Sequence, residues 1–224
     1  MTKRLVACAA ALALVLPSIA SAARHPRAPL QRHTAADTKR AKAIVLRRSD
    51  FATGWTLDPP AKSNTPCTAG PNESSFVQTA KVNPSFTYKD GVTNVGSEAD
   101  IFRSVAEARQ DWRASTPSLL GTCLLQSAGA GFGKKAHIRI ASATTLAAPT
   151  GAERGLHYRY VLSVGSTKPA NLVIDVVALG RGRVTVVLYA LTVRAPLPAA
   201  VVKGLTGVLA SRLDAGQGIT ACRA

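Results

Sequence analysis

A chain of 224 residues with 46% hydrophobic side chains can build one domain with its own core, which excludes a wholly disordered protein. Its 28 Lys and Arg against 12 Asp and Glu give a formal net charge of +16, which favours anionic polymers or lipid headgroups as neighbours. After the apolar N-terminus, no run reaches the roughly 20 residues that a membrane-spanning helix needs.

The first 22 residues have the form of a secretory signal. Met1 to Arg4 is basic, Leu5 to Leu16 is apolar, Pro17 breaks the run, and Ala20-Ser21-Ala22 is a cleavage site. The mature chain is therefore expected to begin near Ala23, outside the cytoplasm, with no transmembrane segment after cleavage. Leu5-Val6-Ala7-Cys8 has the form of a lipobox, but too little chain precedes it to leave an apolar core. Cleavage removes Cys8 and leaves Cys67, Cys123 and Cys222. An oxidising compartment favours one bridge and one spare thiol. Cys67–Cys123 is the expected bridge, because both lie inside the folded region. Cys222 is left to pair between chains or to exchange into the bridge. There is no Cys-x-x-Cys and no helical His pair, so no metal and no cofactor are expected.

Residues 23–36 read as a flexible basic linker. Asp37 can cap a helix over 38–47, with Ala41, Ile44 and Val45 on one side. Gly54 turns the chain ahead of a short strand, Trp55 to Leu57. A loop carrying Cys67 follows, and 73–80 reads as one or two helical turns. Phe86–Tyr88 and Val92–Phe102 are strands about Asp90-Gly91. Ser104 and Glu107 form a capping box for a helix to Ala114, with Val105, Ala108 and Trp112 on its buried side. Pro117 opens a second helix, to about residue 127, that turns Cys123 inward. Gly129 to Lys135 is a Gly-rich loop without a phosphate-loop pattern.

Four strands complete the sheet: 137–146, 156–164, 172–179 and 184–193. The third is apolar on both faces apart from Asp175, so it is central. Gly180-Arg181-Gly182 is a tight connection. Pro196 and Pro198 lead into a last helix, with Val201, Val202, Leu205, Val208 and Leu209 on its apolar side. Gly204 and Gly207 within it point to close packing on the sheet. The domain spans 37–213, and 214–224 is a tail. The fold class is α+β: a two-layer sandwich of an antiparallel sheet, ending in a four-strand meander, with helices on one face.

Period-two alternation places His137, Arg139, His157 and Arg159 on the outer face of the meander, with Asp175 among them. Such a strip is a candidate anion- or carboxylate-binding face. No Gly-x-Ser-x-Gly is present, and the few carboxylates are scattered.

Residues 37–213 resemble the PknH-like extracellular (sensor) domain family of actinobacterial secreted proteins and receptor kinases. The resemblance is carried by Ser49-Asp50-Phe51-Ala52-Thr53-Gly54-Trp55 after a helix, then Cys67, Ile101-Phe102 before Ser104-Val105-Ala106-Glu107-Ala108, Cys123, the meander and the final helix. It implies an antiparallel sheet with packed helices, disulfides and a ligand cleft. This chain differs in lacking a kinase domain and a partner for its third cysteine. The expected function is a non-enzymatic, exported binding or sensor-like module of a bacterial envelope that takes a small ligand. One alternative is a basic surface-associating structural protein that binds anionic envelope polymers. The other is a secreted hydrolase. Nucleic acid is not an expected partner of an exported chain.

Overall fold

The computed structural model describes residues 29–60, 67, 75–132, 137–165 and 169–215. The signal segment, positions 133–135 of the Gly-rich loop and Cys222 lie outside them. In chain order the elements are β1 (Leu30–Gln31), α1 (Ala35–Ile44), a 3-10 turn (Arg48–Asp50), β2 (Trp55–Leu57), β3 (Val77–Val82), β4 (Ser85–Tyr88) and β5 (Asn94–Phe102). There follow α2 (Val105–Ala114), α3 (Pro117–Phe132), β6 (Ile138–Leu146), β7 (Arg154–Val164), β8 (Ala170–Arg181), β9 (Val184–Val193) and α4 (Ala199–Ala215).

Nine strands join one sheet, seven of them along the path β1-β3-β5-β9-β8-β7-β6. β4 also pairs with β5, and β2 lies outside β4. Every pairing is antiparallel except β1 with β3. The last four strands form the antiparallel meander expected from the sequence, and β9 carries the sheet on to β5. Local chemistry marks the turns. Asp90 accepts hydrogen bonds from the Val92 and Thr93 amides, and Gly91 takes φ 69°, closing the β4–β5 hairpin. Gly182, at φ 54°, closes β8 onto β9.

β8 explains the layering. Leu172, Ile174 and Val176 enter one core, and Val177 and Leu179 enter another. Strand side chains alternate, so these are opposite faces of the sheet. On the first face, Leu124 and Ala128 of α3 pack on Tyr160, Leu162 and Ile174, and Ala108 of α2 packs on Phe102. On the second face, Ala41 and Ile44 of α1 and Val202, Leu205 and Leu209 of α4 pack on Val95, Val177, Val186 and Leu188. A fully buried Leu, Ile or Val contributes about 1.5 to 3 kcal/mol, so burial on both sides holds the layers together.

The α+β class and the antiparallel sheet are as the sequence predicts. Helices, however, cover both faces, giving three layers rather than two, because β8 and β9 present apolar side chains in both directions. Other local readings shift too. Residues 77–80 lie in a strand, β3, instead of a helical turn. Leu30–Gln31, within the stretch read as a linker, pair with β3. Thr34, not Asp37, caps α1, its hydroxyl accepting from the Asp37 amide at 3.1 Å. The Ser104–Glu107 capping box forms as expected, but Val105 is exposed and the inward side of α2 is Glu107, Ala108 and Asp111. On α4 Val201 is exposed, and Thr206, Ala210 and Leu213 join the buried side.

Two substitutions test this packing. Gly96 lies opposite Tyr189, and a Cβ there would sit 2.2 Å from the Tyr189 Cζ and Oη. Gly96→Ala is expected to cost about 1–3 kcal/mol. In chemical denaturation the Gly96→Ala, Tyr189→Leu double variant should be less destabilised than the sum of the single ones. Gly204 does not pack on the sheet as expected, since a Cβ there meets nothing within 4 Å. Gly204→Ala is therefore expected to raise the unfolding midpoint, by about 1 kcal/mol of helix propensity.

Candidate ligand groove

Seven strands in path order, at about 4.8 Å spacing, make a sheet wider than two helices of about 10 Å each can cover. On the second face α1 lies over β3 and β5, and α4 over β8 and β9. The face of β7 and β6 beyond α4 is polar: His157 and Arg159 alternate with the core residues Tyr158 and Tyr160, and Ser142 and Thr144 of β6 are exposed.

A groove of about 690 Å³ lies along this boundary. Its floor is His157, Arg159 and Val177 of the sheet. One wall is Leu146, the last residue of β6, with Ala147 to Thr150 after it, and the other is α4, through Val202, Lys203, Thr206 and Gly207. The register between β6 and β7 slips between Ile140 and Ser142. That bulge turns Ile138 and Ile140 to the α3 core while placing Leu146 opposite His157, on the groove side.

At the groove floor Asp175 sits directly across from Arg159, with its side chain 2% exposed. Arg159 donates from Nε to Oδ1 at 2.9 Å and from Nη2 to Oδ2 at 3.1 Å. His157 Nε2 lies 3.0 Å from Oδ1. Burial alone would raise the Asp175 carboxyl. The hydrogen bonds from His157 and Arg159, with the charge of Arg159, outweigh burial and hold it below the usual carboxylate range. The fork also fixes the guanidinium plane. Lys203 adds an exposed cation from α4, and the Thr206 hydroxyl is buried without a hydrogen-bond partner.

The structure thus brings together two of the four residues of the expected strip, His157 and Arg159, and adds Lys203 and Thr206 from α4. His137 and Arg139 are exposed on the same face but lie towards the other end of β7, Arg139 opposite Ser163. Four residues of strand separate Ser163 from Arg159, roughly 13 Å, so Arg139 lies outside the groove. Lys203 and Thr206 carry no pattern in the sequence, since they become neighbours of β7 only through the packing of α4. Gly207, which the sequence reads as a close-packing position, instead has open space at its Cα and lines the groove wall.

Cys67 and Cys123 are joined as a disulfide, with Cα atoms 5.2 Å apart. They lie with Leu119 on α3, away from the groove residues. Among the described residues no group of three or more His, Cys, Asp or Glu is placed to hold a metal ion. Among them, too, no helix is long and apolar enough to cross a membrane.

No protein-family profile matches the chain, and no curated protein is similar to it in sequence. Among solved structures it is similar to the extracellular domain of PknH from Mycobacterium tuberculosis. The likeness covers 81% of this chain and 96% of that one, at 12% identity and a TM-score of 0.40. At that distance it assigns neither a ligand nor an activity.

Proposed function

We propose that the protein is an extracytoplasmic binding module, without a catalytic step of its own, whose groove takes an amphipathic anion: a carboxylate or similar acid on an apolar body. The observation that carries this reading is the composition of the groove. Arg159, His157 and Lys203 converge where Leu146, Val177 and Val202 supply an apolar wall. Ligand sites typically combine an apolar lining with a few fixed polar groups. Arg159 is held rigid by Asp175, which prepares it to meet an anion with little loss of side-chain freedom.

His157 and Asp175 also have the form of the acid–base half of a hydrolase triad. Two features favour binding instead. Arg159 occupies both carboxylate oxygens, and the nearby hydroxyl, Thr206, has no hydrogen bond to the imidazole. Export rests on the signal-like segment of the sequence.

The test is titration of the mature protein with a fluorescent dansyl-labelled undecanoate and with its uncharged alcohol analogue. The carboxylate is expected to bind more tightly. Lys203→Glu is expected to weaken it by roughly tenfold, the weight of one charge-assisted contact, and Gly207→Phe to abolish binding of both probes while the far-ultraviolet spectrum stays unchanged. Equal binding of acid and alcohol, or indifference to both substitutions, would remove this reading.

A further inference from the structure

A second cavity, of about 730 Å³, lies on the same face of the sheet at the far end of α4, between α1 and the α4 C-terminus. Its lining carries the cations Lys39, Arg40, Arg47, Arg183 and Arg212 against one carboxylate, Asp37. Two of the guanidiniums are already neutralised. Arg183 forks onto Asp37 at 2.6 and 2.9 Å. Arg212 forks onto Asp50 at 2.6 and 2.8 Å, and also donates to the Val45 carbonyl at 2.8 Å. These pairs lock α1 to the β8–β9 turn and to α4.

Arg40 is different. Its Nε and Nη2 are buried and have no hydrogen-bond partner. Burial, and then the charge of Arg183, push the guanidinium below its ordinary pKa, with Asp37 only partly compensating. Buried donors of a charged group are nearly always partnered, because leaving them bare forfeits the hydration they lose on burial. Lys39 lines the same cavity, and Arg47, anchored by Nη2 to the Ala43 carbonyl at 2.9 Å, does too. Among the described residues no carboxylate forms an ion pair with Lys39, Arg40 or Arg47, unlike Arg183 and Arg212.

We propose that this cavity is an oxyanion site for a phosphate ester, with Arg40, Lys39 and Arg47 as the cations that attract it and the Arg183–Asp37 and Arg212–Asp50 pairs as the fixed frame around them. Arg, with its planar fork of donors, is suited to tetrahedral oxyanions. The apolar remainder of the lining, Ala36, Ala43, Ile44 and Ala215, leaves room for the organic part of the ester. The site is separate from the Arg159 groove and shares no residue with it. The sequence showed a basic segment there but not a cavity, since Arg183 and Arg212 reach it from distant parts of the chain.

The test uses the mature full-length protein and inorganic phosphate, followed by calorimetry at low ionic strength, beside vesicle sedimentation with phosphatidylcholine carrying phosphatidic acid. Saturable phosphate binding is expected, weakened roughly tenfold by Arg40→Leu, the weight of one charge-assisted contact. Because Arg40 leaves buried donors bare, the same variant should unfold at an unchanged or higher temperature, which a merely structural arginine would not do. Lys42→Glu, on an exposed position of α1 outside the cavity lining, serves as the charge control and should retain most of the binding. Vesicle capture that follows the Arg40 pattern assigns the site to a lipid headgroup. Phosphate binding without capture assigns it to a soluble ester. Absence of saturable phosphate binding, or an equal loss with Lys42→Glu, overturns the proposal.

Discussion

Arg159→Met is expected to destabilise the protein by about 3–5 kcal/mol at neutral pH, because it leaves a carboxylate stranded beneath the groove. Asp175 is 2% exposed, and Arg159 supplies two of its hydrogen bonds. In the parent protein the folded-state pKa of Asp175 lies below its ordinary value. Its contribution is therefore complete above the unfolded carboxylate pKa of about 3.9 and is lost as pH falls through the lower folded value. Removing Arg159 reverses the balance. Burial then works against the His157 contact alone, and the carboxyl is raised. The penalty should be largest near pH 7 and shrink as acid protonates Asp175 in the variant. Denaturation of both proteins at pH 7 and pH 4 checks this. A pH-independent difference would mean that Arg159 acts through packing of its stem and not through charge.

Loss of the disulfide is the second large effect. Cys67 and Cys123 are separated by 56 positions and are almost fully buried, at 0% and 1% exposed. In the chain-entropy account, a loop of that length is worth about 4 kcal/mol. For a domain of this size that is about 10 °C in the unfolding midpoint. Cys67→Ser with Cys123→Ser should show this shift, and adding reductant to the parent should approach it. Unreduced mass spectrometry supplies the second readout: a Cys67–Cys123 cross-linked peptide is expected, and free thiols at both positions would contradict the pairing. The bond ties the segment ahead of β3 to α3, so its loss should be felt in the α3 core before it reaches the groove on the opposite face.

The parts of this fold that were legible in the sequence are those with local signatures. Ser104 and Glu107 announced α2, Asp90-Gly91 announced a hairpin, and the alternation of Leu156 to Val164 announced β7 with Tyr160 inside. The helices on both faces do have a signal in the sequence: β8 is apolar in both directions, and such a strand needs cover on both sides. β3 was hidden for a physical reason. Gln78 and Thr79 are buried along with Val77 and Ala80, so the polar–apolar alternation that marks a strand is missing. Of the groove, His157 and Arg159 were legible from strand parity. Lys203 and Thr206 were not, because they depend on how α4 is rotated, and Val201 turned outward where the apolar pattern placed it inside. Arg40 and its neighbours could be seen as a charge run, whereas the cavity they line is assembled by ion pairs between residues as far apart as Asp37 and Arg183.

The slip at Ala141 has a consequence for solubility. β6 ends the sheet path, and among the described residues no strand pairs with its outer side. A straight, nine-residue free edge is a template on which another chain can lengthen the sheet. The bulge breaks that template near its middle by putting two successive amides out of step, and the exposed Arg139 adds a repelling charge beside it. The irregularity that turns Leu146 towards the groove therefore also acts as a guard against edge-to-edge aggregation, so that deleting Ala141 would reshape the groove wall and open the molecule to self-association in one step.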